Sequence, residues 1–269
     1  MAGEDCRSGA EMDALVRRLK LHRPSPSPYD PDPAAAPVPA TAGDGELFRP
    51  RRAAVLVCLF RGDGGELRVI LTKRSSSLST HSGEVSLPGG KVEEGDADDV
   101  ATALRESKEE IGLDPALVTV VASLEHFLSK YGLDHSHSFW VDMVKASRGR
   151  GTWLVTYWRF LHFGQAFKPA LNIAEVDEIF DVPLEMFLKD ENRTSEEREK
   201  MGQTFTVHYF TYENGIQKYL IWGLTARILI HAASVVYERP PDFTERRAHF
   251  KLPKFTKDCS SMLAGPAKH

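Results

Sequence analysis

Apolar and polar positions recur with a helical period between Asp99 and Leu113. Val100, Leu104, Ser107 and Ile111 fall on one face at i, i+4, i+7 and i+11, and Glu106, Glu109 and Glu110 fall on the other. Asp96 or Asp98 can cap the start, and Gly112 suits the left-handed position just past the end. Upstream, apolar runs predict strands over 53–60 and 67–72, joined through Gly62-Asp-Gly-Gly as a hairpin. Downstream, strands are expected over 118–127, 153–163 and 205–212, with Asn214-Gly215 as a hairpin turn. Residues 182–185 read as a strand end and short helix start, and 219–237 as a long, mostly apolar helix. Residues 190–201 are highly charged and read as helix or loop. A short helix over 11–21 carries Leu15, Leu19 and Leu21 on or near one face. Residues 24–44, rich in Pro and Ala, read as an extended or disordered linker.

Composition changes this picture little. The chain has 269 residues and a net charge of −4, which argues against a general nucleic-acid binder. The three cysteines, Cys6, Cys58 and Cys259, are too widely spaced for a zinc pattern or a disulfide framework. No apolar run is long enough to span a bilayer, and residues 1–11 lack an apolar secretory core. Arg17, Arg18 and Lys20 suit a weak organelle-targeting helix, while Glu4, Asp5, Glu11 and Asp13 oppose it. Cytosol is therefore expected, with the mitochondrion as the alternative. A homodimer is left open.

Three glutamates on one helical face repel one another by a few tenths of a kcal/mol per pair, roughly. A divalent cation reverses that sign, and oxygen-only ligands select Mg2+ or Mn2+ over zinc. Such an ion bridges protein carboxylates to phosphate oxygens. Three glutamates alone would read as a solvated face; Gly89-Gly90 before them, Arg105 beside Glu106, and Gly112 after them shift the balance.

This stretch resembles the signature box of the Nudix hydrolases. Arg105, Glu106, Glu109, Glu110, Gly112 and Leu113 match it. The spacer from Gly90 to Arg105 is one residue longer than the box, so the first glutamate has no clear counterpart: one count reaches Asp96, the other Ala97. Ser107 stands where an aliphatic is usual. Thr72, Arg74, Ser75, His81, Gly83, Val85, Pro88, Gly89 and Gly90 resemble a second signature, found upstream of the box in coenzyme A-type (plant-type) members.

The resemblance implies an α/β/α sandwich around a mixed sheet over 49–240; the residue pattern itself gives 1–48 as N-terminal helix and linker and 241–269 as a tail. It implies Glu106 and Glu110 as Mg2+ or Mn2+ ligands, Glu109 as ligand or general base, the Gly90 carbonyl as a further ligand, and Arg105 paired with a neighbouring carboxylate. Lys73, Arg74 and His81, with Gly89, are the expected substrate contacts, the cationic groups suiting an extra phosphate on the nucleotide. Glu191, Glu196 and Glu197 are candidates for a distal base. The implied reaction is hydrolysis of the diphosphate of coenzyme A and its derivatives to 4'-phosphopantetheine and 3',5'-ADP. An ADP-ribose or ADP-sugar diphosphatase is the alternative, and an inactive binding module the alternative of another class. The resemblance breaks over 131–164, read as an insertion or variant segment in which 153–163 could replace a central strand. Asp134, His135 and His137 there read as surface loop.

Overall fold

The structure, a computed structural model, describes residues 2–24, 51–128, 152–161, 167–200 and 202–247. Nearly all of the expected linker, residues 131–151 with Asp134, His135 and His137, and the tail beyond 247 lie outside them.

The central strand is β1 (Arg51–Arg61). Ala53, Val55, Val57 and Leu59 enter one core and Leu56 and Cys58 the other, as expected for a strand covered on both faces. It pairs antiparallel with β2 (Leu67–Arg74) and with β4 (Gly89–Lys91), which follows the short β3 (Val85–Ser86). The helix α2 (Asp99–Ile111) follows, then β5 (Val118–Ser123) and β6 (Phe127–Leu128). The strand expected over 153–163 is β7 (Thr152–Leu161), which lies parallel to β1 from Arg51↔Thr152 to Leu59↔Phe160. β5 and β6 pair antiparallel with β7 along its edge away from β1, and β8 (Val176–Pro183) lies antiparallel to β2, so the sheet is mixed. β8 runs into a 3-10 turn (Leu184–Leu188), matching the strand end and helix start read there.

A smaller antiparallel sheet is formed by β9 (Arg193–Lys200), β10 (Gln203–Glu213) and β11 (Lys218–Trp222). Two expectations change here. The charged stretch over 190–201 is a strand, because β10 supplies a full antiparallel partner. Tyr219–Trp222 belongs to β11 rather than to the helix, and Tyr219 and Ile221 face inward while Leu220 is exposed. The helix α3 (Gly223–Tyr237) starts only at Gly223, which has φ 62°.

The two sheet faces have separate covers. Ile111 and Leu113 from the α2 end close one, packing on Leu56, Cys58 and Ile70. α3 and the N-terminal helix α1 (Ala2–Leu21) contribute to the other. In α1 the buried face is Met12 and Leu19 with Leu15 half-buried, and Leu21 is exposed, contrary to its expected place. Seven residues back from Leu19 is Met12, whereas two residues on turns the side chain to the far side. The Arg18 guanidinium donates to the Val236 carbonyl and to Glu238 Oε2 at 2.6 Å, closing the end of α3. Of the basic residues of α1, Arg18 is thus engaged by the domain, whereas Arg17 and Lys20 stay exposed. No helix among the described residues is long and apolar enough to cross a membrane.

Candidate active site

The site is built where β4 pairs with β1 next to α2. Gly89 has φ 142°, and a Cβ there would stand 2.3 Å from the Ala54 carbonyl oxygen, so only glycine passes over β1 this closely. Its N–H donates to Glu110 Oε2 at 3.0 Å. At Gly90 a Cβ would stand 2.4 Å from Glu106 Cδ, so the missing side chain is the space the carboxylate occupies.

The helix is fixed at both ends. Asp98 is the N-cap, its carboxylate accepting from the Ala101 N–H at 2.7 Å, and Gly112 takes the left-handed C-cap at φ 72°. Asp96, left ambiguous by spacing, accepts from Arg105 Nε at 3.0 Å, from Thr102 Oγ1 at 2.8 Å and from the Glu93 N–H at 2.9 Å. The Arg105 guanidinium, followed by the Glu93 N–H, holds the Asp96 carboxyl well below the usual carboxylate range. Arg105 also donates to Glu109 at 3.0 Å, to Glu106 at 3.2 Å and to the Lys91 carbonyl at 3.0 Å. Ser107 is fully buried and donates to the Ala103 carbonyl at 2.6 Å. Its hydroxyl turns back onto the helix and leaves a small surface against the sheet.

The three box glutamates do not share one environment. Glu110 is buried, Glu106 is partly buried, and Glu109 is exposed and tied to Arg105. Ligand oxygens of Glu106, Glu110 and Glu175 lie within 4.8 Å of one another. No sequence motif marks Glu175 as part of the site; it arrives on the loop before β8. Burial pushes the Glu110 carboxyl up to about 7, with Glu106 and Glu175 adding to the rise and the Gly89 N–H and Arg74 opposing it. Burial raises Glu106 too. An all-oxygen trio whose ionised form is penalised by its own neighbours is the donor set that a hard dication relieves.

The expected substrate contacts separate. Arg74 lies on the α2 side, its Nη1 3.9 Å from Glu110 Oε1. Its Nε is buried with no hydrogen-bond partner among the described residues. Lys73 alternates to the opposite face of β2 and lines a cleft with Lys218 and Trp222. His81 is exposed and bonds Glu84 Oε2 at 2.8 Å through Nδ1. Glu196 and Glu197 sit on the second sheet, paired with Arg198 and Arg246 respectively. Glu191 is exposed at the turn before β9.

The NUDIX domain model matches residues 50–201. The chain belongs to the Nudix hydrolases. It is 58% identical to Nudix hydrolase 15, mitochondrial, of Arabidopsis thaliana, over 78% of this chain and 67% of that protein. It is 55% identical to Nudix hydrolase 22, chloroplastic, of the same plant, over 78% of this chain and 63% of that one. The chain thus spans about two thirds of these relatives' length. It is 34% identical to the mouse protein named peroxisomal coenzyme A diphosphatase NUDT7, over 67% of the chain and 68% of that protein. Among solved structures, the Ap4A hydrolase binary complex of C. elegans aligns with a TM-score of 0.38 at 20% identity, covering 51% of this chain and 82% of that one. As a Nudix hydrolase, the chain carries its box on α2 and the preceding β4 turn.

Proposed function

We propose that this Nudix enzyme hydrolyses the diphosphate bond of coenzyme A and its acyl derivatives, releasing 4'-phosphopantetheine and 3',5'-ADP. The observation that carries the reading is Arg74 of the upstream signature, aimed at the buried Glu110 of the box. The likeness to the mouse coenzyme A diphosphatase supports it.

In this reading Glu106, Glu110 and Glu175 hold Mg2+ or Mn2+. Such an ion, when bound, neutralises diphosphate charge and lowers the pKa of water. Gly90 leaves the room that Glu106 needs, and the Gly89 N–H fixes which Glu110 oxygen faces the backbone. Arg105 orients Glu106 and Glu109 together. Glu109 stands outside the gathered trio and keeps only the role of general base, taking a proton from the attacking water. Glu109→Gln then lowers kcat while Mn2+ affinity stays near wild type.

The ADP-ribose or ADP-sugar alternative gains from one observation. Lys73 and His81 do not join Arg74 at the carboxylates, which removes two cationic groups from recognition of a 3'-phosphate there. Product analysis on coenzyme A, ADP-ribose and ADP-glucose with Mn2+ decides between them. Release of 3',5'-ADP at the highest kcat/KM is the expected result, and preferential release of AMP from ADP-ribose would overturn it. The relatives' names carry organelles, and this favours the mitochondrial reading of the compartment over the cytosolic one.

A further inference from the structure

We infer that Asn172 is a positioning residue that holds Glu175 in register with α2; the inference rests on the metal-site reading above. The last carbonyls of a helix have no partner within it. Here the Glu110 carbonyl accepts from the Asn172 N–H at 3.0 Å, and the Ile111 carbonyl from the Ala170 N–H at 3.0 Å. The loop that carries Glu175 is therefore latched to the end of the helix that carries Glu106 and Glu110. Gly112 permits the approach, because a Cβ there would stand 2.7 Å from the Ala170 Cβ.

Asn172 then folds the loop back on itself. Its Oδ1 accepts from the Ala174 N–H at 3.2 Å, and its carbonyl accepts from the N–H groups of Glu175 and Val176, each at 2.9 Å. This is an Asx turn, which a side-chain acceptor of this length supports and alanine does not. On the far side, the Glu175 carbonyl accepts from the Ser75 N–H at 2.8 Å. Glu175 is gripped at both its backbone groups, by the Asn172 carbonyl and by the Ser75 N–H just past β2. Its carboxylate is thereby held beside those of Glu106 and Glu110.

The test uses the full chain, with Mn2+ affinity of the metal-free protein, its Tm, and kcat/KM measured for Asn172→Ala, Asn172→Asp, Glu175→Gln and the Asn172→Ala/Glu175→Gln double variant. Asn172→Ala should weaken Mn2+ binding and kcat/KM by about tenfold, the scale of a lost supporting interaction behind a metal ligand. Asn172→Asp keeps the acceptor and should restore both. In the Glu175→Gln background Asn172→Ala should add less than about twofold, because its effect passes through Glu175. Equal losses from Asn172→Ala in both backgrounds would assign Asn172 a general structural role and overturn the inference. Glu175→Gln with wild-type Mn2+ affinity would remove Glu175 from the site and the inference with it. Glu110→Gln, as control, shows separately whether the metal site itself stands.

Discussion

The Gly89 N–H and the Glu110 carboxylate face each other at 3.0 Å, and this single bond ties the glycine turn to the most buried acid of the site. The glycine donor favours the ionised carboxylate, while burial and two neighbouring acids favour the protonated one. The balance lies near neutrality, at about 7, so Glu110 reports on whatever binds beside it.

Glu110 should therefore link metal, proton and stability. A carboxyl whose folded pKa lies above its unfolded value stabilises the fold at low pH, and that contribution is lost as pH rises from the ordinary glutamate value near 4.5 through about 7. The metal-free protein should lose about 3 kcal/mol across this window from Glu110. Glu110→Gln should flatten the loss and exceed wild type in Tm at pH 8, yet bind no Mn2+. Metal-free thermal melts of both proteins at pH 5 and pH 8 check this. Below pH 7 the Mn2+ affinity of wild type should fall about tenfold per pH unit, since one proton must leave first.

The two glycines should fail differently. Gly90→Ala drives a methyl into the Glu106 carboxylate, so Mn2+ affinity should drop about a hundredfold with little change in Tm. Gly89→Ala meets the backbone of β1 in a conformation closed to alanine, so it should cost about 2–4 kcal/mol in stability. Calorimetric Mn2+ titration alongside denaturant melts separates the two.

Arg105 holds Asp96, Glu106, Glu109 and the Lys91 carbonyl with one guanidinium. A lysine keeps the charge but not the fork. Arg105→Lys should lower kcat/KM about 10- to 100-fold without restoring the Asp96 contact geometry. Asp96→Asn should give a smaller loss in the same direction, read in the same steady-state assay.

Arg74→Ala removes the cation facing Glu110, so the Glu110 carboxyl should rise further. The loss of Mn2+ affinity should then be largest near pH 6.5 and shrink by pH 9. A pH series of Mn2+ titrations tests it, and a pH-independent loss would point to a steric role for Arg74 instead.

The helix α2 was legible because its signals are local: a 3.6-residue period, an aspartate before it and a glycine after it. The strand β1 was legible because it is a short, nearly unbroken apolar run. Glu175 was not, since no periodicity joins it to α2; backbone hydrogen bonds from Ala170 and Asn172 do that, and these leave no side-chain pattern. β9 was hidden because Arg-Thr-Ser-Glu-Glu-Arg-Glu-Lys has no apolar alternation and becomes a strand only through β10. The β11–α3 boundary was hidden inside a continuous apolar run, where length and period point to a helix. The split of the box glutamates into buried and exposed members likewise depends on β4 covering only one flank of α2.

With its start capped by Asp98 and its last carbonyls engaged by Ala170 and Asn172, α2 is tied down at both ends. The carboxylates form a gauge carried on this tied backbone. Choice among diphosphates must then be made by the surfaces around this gauge, so such a scaffold can change its preferred substrate while the hydrolytic core stays as it is.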